Sequence, residues 1–473
     1  MADYPGPSAR RCGVAEDILC LLAMGAVSAR DGELVREVCG FRGMVIGGDG
    51  GGEEGEERKR KGEEVGDEWL FGRAGFLWLL RFMRGAFEGG FDEEGKKGES
   101  EGESDGGEED GKGRRGRGKR HGRRHGHSED AAIRALIDDT ADRVIDAIMA
   151  SPRPWKWHGK AYLGAVHGMT GILTQILLTR PEMASELEPD LGALLSYQYE
   201  DDGFDKRSVG EGRDATRRNG GGGGSSGGSG GNWPSSIPPG KDRLVQFCHG
   251  APGIVTSLVS LRRVYAEAGS AGSNSSSSRD RDGYRHRHRD HRQGRDDQHQ
   301  YSNGDGNGHV NTNRALLRRI DRAIARGRRC IMSRGLLTKE PCLCHGISGN
   351  GLALAASVDA HDYDLDHDGG RSRDRNADGH GHGDENRDQH GRDERNRGQD
   401  DDEDEDEDYV SYTQFEHFLT YTTGHEMKAL ARDGMMEPSD EPAGLYTGEA
   451  GRAWAWAVAD GALGWGFPGY NDL

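Results

Sequence analysis

Long hydrophobic runs are missing from this sequence, and no stretch approaches the roughly 18 to 20 apolar residues needed to span a bilayer. Only 33% of its 473 residues are hydrophobic, whereas 31% are charged and 78 are glycine. Such a chain is not expected to fold throughout, because polar and glycine-rich segments bury too little apolar surface to offset the entropy of ordering. The net charge of −19 argues against general nucleic-acid binding.

Targeting signals and paired cysteines are absent as well. The N-terminus has no basic segment followed by an apolar run, so no signal peptide is predicted, and Ala2 excludes N-myristoylation. The odd number of cysteines predicts free thiols or metal ligands in a reducing compartment, with the cytosol, or cytosol and nucleus, as the expected location. The seven are Cys12, Cys20, Cys39, Cys248, Cys330, Cys342 and Cys344. The first three and Cys330 are interpreted as ordinary thiols.

Stretches of biased composition divide the chain. We predict a partial N-terminal helical region with a Gly/Glu linker over residues 1–68, and a helical domain over residues 69–473. Low-complexity inserts are expected at about residues 89–128, 205–231, 270–313 and 361–408. The basic run Arg114–Arg124 fits either a nuclear-localisation or nucleic-acid segment or a solvated linker. The histidines of the last insert either bind metal weakly or belong to a solvated segment.

One unit recurs between the inserts: a helix, a loop, a Gly-x-x-Gly turn and an apolar helix. The pairs are Gly72/Gly75, Gly168/Gly171, Gly250/Gly253, Gly346/Gly349 and Gly448/Gly451. This recurrence indicates a repeat architecture, with unusual backbone angles at the first glycine and close backbone approach at the second. The helices after the turns are apolar on nearly all sides, which predicts an inner ring of buried helices inside an amphipathic outer ring. Other helices are predicted over Val14–Val38, Glu129–Ala150, Leu187–Tyr199, Ala315–Met332 and Tyr412–Arg432.

Two of the turns carry a cysteine and a histidine, as Cys248-His249-Gly250 and Cys344-His345-Gly346. Thiolate and imidazole are preferred zinc ligands, and a catalytic zinc typically keeps three protein ligands and one open position. With the turns gathered at one end of a ring, Cys248, Cys344 and His345 would hold a zinc ion. Two alternatives stay open. The cysteines are buried thiols, or Cys342 replaces Cys344 as a ligand, although it lacks the following His-Gly.

The motif segments and their order resemble the LanC-like family, the eukaryotic relatives of the bacterial lanthionine synthetase component C. The segments are Phe71–Gly75, Tyr162–Gly171, Asn232–Ser236, Phe247–Gly253, Leu343–Asn350, Leu445–Gly451 and Phe467–Leu473. The resemblance implies an all-α fold, an (α/α) toroid that normally has seven helical-hairpin units. Only the last five Gly-x-x-Gly turns are recognisable, so the first one or two units are expected to be absent or reduced.

The same resemblance assigns site residues. It implies zinc binding by Cys248, Cys344 and His345, acid/base chemistry near the metal by His167, and glutathione binding by Lys339. The family often has a histidine two residues before its first zinc cysteine. This chain has Gln246 at that position, so we expect the contribution of that histidine to be lost.

The implied reaction adds the thiol of glutathione to dehydroalanine or dehydrobutyrine residues in proteins, forming a thioether. Zinc depresses the pKa of a bound thiol, and the enolate that follows addition needs a proton donor. His167 suits that role, with His249 as a second candidate. Plainer readings exist: His167 bonds to a loop, His249 is structural, and Lys339 is a solvated charge.

Two rival functions stay open. One is a zinc- and glutathione-binding adaptor whose ring is a scaffold and whose acidic inserts recruit partners. The other is a zinc hydrolase, which has less support because two thiolate ligands damp the Lewis acidity that hydrolysis needs. We expect a monomer with a zinc cofactor, whose partners are glutathione and proteins or peptides that contain dehydroamino acids.

Overall fold

The computed structural model describes most of the segments between the predicted inserts. The described residues are 8, 11–47, 65–88, 123–200, 230–240, 242–271, 307–356, 413–436 and 441–472. Most of the predicted inserts, including the run Arg114–Arg124 and the histidine-rich segment 361–408, lie outside them. The described chain is mostly helical, as predicted, and divides into unit 1 (Met1–Cys330 with Gly466–Leu473) and unit 2 (Ile331–Trp465). None of its helices is long and apolar enough to cross a membrane.

Unit 1 is a set of packed helices with one small two-stranded sheet. Its elements are α1 (Asp17–Ala29), α2 (Gly32–Gly40), α3 (Arg42–Val45), α4 (Arg73–Glu88), α5 (Arg123–Ala150), β1 (Ala161–Tyr162), α6 (Met169–Thr179), α7 (Ala184–Ser196), β2 (Ser236–Ile237), α8 (Ala251–Ala271) and α9 (Asn307–Arg334), with the last turn of α9 in unit 2. Helices α1, α4, α6 and α8 pack side by side in that order, while α5 packs on α4 and α7 packs on α6. Strands β1 and β2 pair antiparallel. The two longest helices, α5 and α9, begin inside regions predicted as inserts.

The predicted helix Val14–Val38 is wrong as a single element, because the chain reverses near its middle. Arg30 takes a left-handed conformation with φ of 48°, and this ends α1. The Asp31 side chain then accepts a hydrogen bond from the backbone N–H of Glu33 at 2.8 Å, capping α2. Aspartate is a favoured N-cap residue because its carboxylate pairs an N–H that has no partner within the helix. The sequence therefore holds two short helices there.

Helix α1 packs against α4, the helix that follows the first Gly-x-x-Gly turn. The segment before it runs along the first Gly-x-x-Gly turn, where the backbone N–H groups of Cys12 and Ala15 donate to the carbonyl oxygens of Phe71 and Leu70, each at 2.8 Å. A Cβ atom at Gly13 would lie 2.6 Å from the oxygen of Leu70, so the two backbones touch. Helix α1 thus joins the row formed by α4, α6 and α8.

The five Gly-x-x-Gly turns share one local geometry. Each helix begins directly after the first glycine of its pair. A Cβ atom on the second glycine would lie 1.8–2.2 Å from the carbonyl oxygen six residues earlier, as at Gly253 and Phe247, where the distance is 2.0 Å. The prediction of close approach at the second glycine is confirmed. The prediction of unusual angles at the first is wrong except at Gly250, whose φ is 107°, because extended backbone suffices to enter a helix.

The last residues of the chain pack among α4, α6 and α8. Phe467 stacks on Phe247 with ring centroids 3.4 Å apart, and both rings are buried. The carbonyl oxygen of Tyr470 accepts hydrogen bonds from Arg81 and Gln175, each at 3.0 Å. Side chains from two of the inner helices are therefore fixed on the C-terminal segment, which lies in the core of unit 1.

Unit 2 contains short helices in its described part. They are α10 (Ile347–Ala355), α11 (residues 413–420), α12 (Gly424–Arg432) and α13 (Glu449–Ala459). The predicted helix Tyr412–Arg432 is interrupted between α11 and α12, where Thr423 caps α12. Helix α13 is not buried on all sides as predicted, since only Gly451 and Ala455 are buried. Its described neighbours, α10 and the turn at Thr422, cover only part of its circumference.

Candidate functional site

Two turns of unit 1 meet backbone to backbone and place two histidines side by side. Residues Gln246 and His249 exchange backbone hydrogen bonds at 3.1 Å, which closes a tight turn around Cys248. That turn lies against Gly164, where a Cβ atom would be 2.1 Å from the carbonyl oxygen of Cys248. The rings of His167 and His249 are consequently 6.0 Å apart, centroid to centroid. The structure thus brings both predicted acid/base residues together with the predicted ligand Cys248.

A buried carboxylate holds His167. The side chain of Glu68 is 1% exposed, and its Oε2 lies 2.9 Å from Nδ1 of His167. The same oxygen accepts from the backbone N–H of Leu70 at 2.9 Å, and Oε1 accepts from that of Phe71. A carboxylate that accepts two backbone N–H groups is an acceptor for the ring as well, so His167 donates from Nδ1 and leaves Nε2 for other chemistry.

Aromatic rings surround the two histidines. Trp157 stacks on His167 with ring centroids 4.0 Å apart and planes 5° apart, and Tyr162 lies 5.4 Å from His249. Trp157 is fixed by a two-residue hairpin in which His158 and Gly159 have φ of 48° and 76°. Positive φ at both central residues is the geometry that fits the twist of a tight hairpin. His167 is therefore held in one orientation by a carboxylate and a ring face, with its side chain 15% exposed.

The second histidine is held in its neutral form. Burial lowers the pKa of His249 to about 4, and the nearby His167 lowers it further in the same direction. Its Nδ1 is buried and has no hydrogen-bond partner among the described residues. A neutral imidazole is a weak proton source at neutral pH, so His167 is the better placed of the two predicted proton donors.

Gln246 contacts the predicted zinc ligand beside it, contrary to the expectation that this position has lost its role. Its side-chain Nε2 donates a hydrogen bond to the sulfur of Cys248 at 3.0 Å, and both residues are buried. Sulfur is a better acceptor as thiolate than as thiol, and a donor amide stabilises the charged form. The residue that replaces the family's usual histidine therefore supports Cys248 directly.

The other predicted ligands lie in unit 2. Cys344 and His345 are half-buried and are separated from the start of α10 by Gly346, and the N–H of Cys344 donates to the carbonyl oxygen of Tyr446 at 2.8 Å. Lys339 is half-buried, and it has no hydrogen bond or ion pair with another described residue. Cys342, the alternative ligand, is fully buried with 0% exposure.

The three predicted zinc ligands are divided between the two units. Cys248 belongs to unit 1, and Cys344 and His345 belong to unit 2. Within the part of the chain that the structure describes, no group of three or more His, Cys, Asp and Glu side chains is placed to hold a metal ion. The donor chemistry of the three residues, two thiols and an imidazole, nevertheless suits zinc. All seven cysteines lie in described residues, and none forms a disulfide.

Two residues of the site, Glu68 and Trp157, were not predicted from the sequence, and the contacts of Tyr162 and Gln246 were not predicted either. Glu68 had one usable signal, since an acid four residues before a Gly-x-x-Gly turn lies where the next unit's turn can reach it. Trp157 had another, the His-Gly pair that follows it and suits a tight hairpin. No model of a known protein family matches the chain.

Proposed function

We propose that the chain is a LanC-like α/α toroid that adds the thiol of glutathione to dehydroalanine or dehydrobutyrine residues in proteins. The observation that carries this proposal is the fixed His167. Its Nδ1 is bonded to the buried Glu68, its ring is stacked on Trp157, and it lies beside the Cys248-His249 turn. Conjugate addition needs a proton donor of this kind within reach of the thiol's anchor.

The chemical step balances without an oxidant or reductant. The sulfur of glutathione bonds to the β-carbon of the dehydroamino acid, and the electron pair of the alkene moves toward the neighbouring carbonyl group. The S–H bond of glutathione breaks, the α-carbon takes a proton from the protein, and the proton lost from sulfur replaces it, so that thiol and alkene together give one thioether. His167 delivers that proton from Nε2, while Glu68 stabilises the charged ring before transfer.

The zinc set of the proposal is Cys248, Cys344 and His345. When bound, zinc lowers the pKa of a coordinated thiol so that thiolate persists at neutral pH. The amide of Gln246 favours the thiolate form of Cys248. The half-buried Lys339 supplies a positive charge for a carboxylate of glutathione.

The test is the conversion of a dehydroalanine peptide by purified full-length protein with glutathione, followed by mass spectrometry. We expect a mass gain of one glutathione per dehydroalanine. His167→Asn removes the proton donor and should lower the rate by about a hundredfold or more. The matched control is His158→Asn, the same substitution one residue beyond Trp157, where asparagine tolerates the positive φ. That variant should keep the wild-type rate within about threefold.

The rival functions give different outcomes in the same assay. Bound zinc and bound glutathione without turnover by the wild type would contradict the enzyme and leave the adaptor. Cleavage of a peptide or ester without thioether formation would instead indicate a zinc hydrolase. Equal rates for the wild type and His167→Asn would remove His167 from the proposed chemistry.

A further inference from the structure

A cavity of about 400 Å³ lies between α9 and the end of α7 in unit 1, away from the histidine site. Its lining is four arginines on an apolar floor, namely Arg319, Arg322, Arg326 and Arg329 with Leu195, Ala323 and Ala325. At 100° and 1.5 Å per helical residue, the arginine spacing of three, four and three places all four within about 80° of arc and about 15 Å of helix. The four guanidinium groups therefore line one strip of one helix.

The charges of Arg319, Arg322 and Arg326 are not balanced by the described residues that line the cavity. No aspartate or glutamate is among those residues. Arg319, Arg322 and Arg326 form no ion pair with any described carboxylate, and the Nε of Arg326 is buried without a hydrogen-bond partner in the described chain. The one acid of the helix near the strip, Asp321, pairs instead with Arg262 on α8 at 2.6 Å. A buried donor without a partner costs free energy, so the position of the Arg326 side chain is unfavourable without a bound anion.

The described contacts of the strip with the rest of the fold are few, and the one to α7 is an exposed hydrogen bond from Arg319 to the carbonyl oxygen of Gly192 at 3.3 Å. The side chain of Gln198 anchors α9 by donating to the carbonyl oxygen of Ala323 at 2.9 Å, and the buried face of the helix carries Ile320 and Ile324. Like charges three and four residues apart on a helix destabilise it by a few tenths of a kcal/mol each. In a chain with a net charge of −19, four arginines on one strip of one helix are poorly explained by solubility.

We propose that this cavity binds a compact small molecule with several clustered phosphate groups. Arginine forks bond phosphate oxygens in pairs, and an anion here would neutralise the charge of the strip. The cavity volume falls within the range of small-molecule pockets. None of the described residues that line it is aromatic, so the phosphates themselves are taken as the recognised groups. This site is independent of the proposed thioether chemistry.

The experiment is calorimetric titration of the full-length protein with inorganic tripolyphosphate at a physiological salt concentration. We expect one saturable site. The variant Arg319→Gln/Arg322→Gln should weaken binding at least tenfold. The matched control is Arg314→Gln/Arg318→Gln, which removes the same charge from exposed positions of the same helix outside the cavity. The control should bind within about twofold of the wild type.

The melting temperature, measured with and without tripolyphosphate, separates a loss of binding from a loss of folding. Tripolyphosphate should raise the melting temperature of the wild type and the control, but not of the cavity variant. Unliganded melting temperatures should agree within a few degrees among all three, because every replaced side chain is exposed and the cavity variant loses only the exposed hydrogen bond from Arg319 to Gly192. Equal weakening in both variants would overturn the proposal in favour of diffuse electrostatic attraction. No binding to the wild type would overturn it outright, and tight binding of a single-stranded RNA in place of tripolyphosphate would reassign the surface to an extended polyanion.

Discussion

Replacing Glu68 with glutamine tests how His167 is held, and the structure allows the cost to be worked out. The carboxylate accepts from three donors, the ring Nδ1 of His167 and the N–H of Leu70 on Oε2, and the N–H of Phe71 on Oε1. A glutamine has one oxygen and one NH₂ group. If the glutamine oxygen takes the position of Oε2, the backbone N–H of Phe71 faces the NH₂ group. If the oxygen takes the position of Oε1, the backbone N–H of Leu70 faces the NH₂ group.

Either orientation of the new amide leaves one backbone donor without a partner, at a position where the Glu68 side chain is 1% exposed. A buried unsatisfied donor costs about 1–3 kcal/mol, so we expect Glu68→Gln to destabilise unit 1 by about 2 kcal/mol. Glu68→Ala leaves all three donors without partners and should cost about twice as much. Urea unfolding followed by tryptophan fluorescence measures both values.

Activity should fall further than stability in Glu68→Gln, because the neutral amide cannot stabilise a charged His167 ring. We expect a drop of about a hundredfold in thioether formation with zinc content unchanged. In a double-mutant cycle, adding His167→Asn to Glu68→Gln should have little further effect, since both act on the same proton. Wild-type activity in Glu68→Gln, or a change in unfolding free energy below about 0.5 kcal/mol, would refute this account of the pair.

Three further predictions concern folding stability. Gly253→Ala should destabilise the protein by more than about 3 kcal/mol in urea unfolding, because the new Cβ would lie 2.0 Å from a carbonyl oxygen. The control Gly85→Ala in α4, where no atom lies within 4 Å of the new Cβ, should stabilise it by up to about 1 kcal/mol. Phe467→Ala should cost about 3–5 kcal/mol by the same measurement, while Leu463→Ala at an exposed position should be nearly neutral. Burial raises the pKa of Cys12 from 9.0 to about 12. The neutral thiol therefore contributes its full stability below pH 9, and this contribution, on the order of 4 kcal/mol, is lost as the pH rises toward 12. Cys12→Ala should remove that loss from the dependence of the unfolding free energy on alkaline pH.

The sequence predicted the helices of this chain better than their ends and breaks. The apolar spacing of Glu129–Ala150 and Ala315–Met332 identified the helices that became α5 and α9, although both extend into segments whose composition suggested inserts. The break inside Val14–Val38 was missed because hydrophobic periodicity continues through Arg30, and only the capping aspartate after it marks the turn. The boundary between α1 and α2 is therefore marked by the capping residue Asp31, and hydrophobic periodicity does not reveal it.

The candidate site was predicted in part, for a clear physical reason. His167 and His249 were recognisable because both belong to one turn motif, and the close approach of Gly164 to the turn around Cys248 places them together. The contacts of Glu68 and Gln246 were not predicted, because the first joins residues 99 positions apart and the second depends on a side-chain rotamer. Such contacts are set by tertiary packing and leave no local pattern.

The measurement that tests the central proposal most directly is the zinc content of purified full-length protein, compared among the wild type, Cys344→Ala and Cys20→Ala. We predict about one zinc ion per chain in the wild type and in Cys20→Ala, because Cys20 lies in α1 and outside the proposed ligand set. Cys344→Ala should lose the metal while remaining folded by circular dichroism. A folded wild type without zinc, or a Cys344→Ala variant that keeps it, would contradict the proposed site.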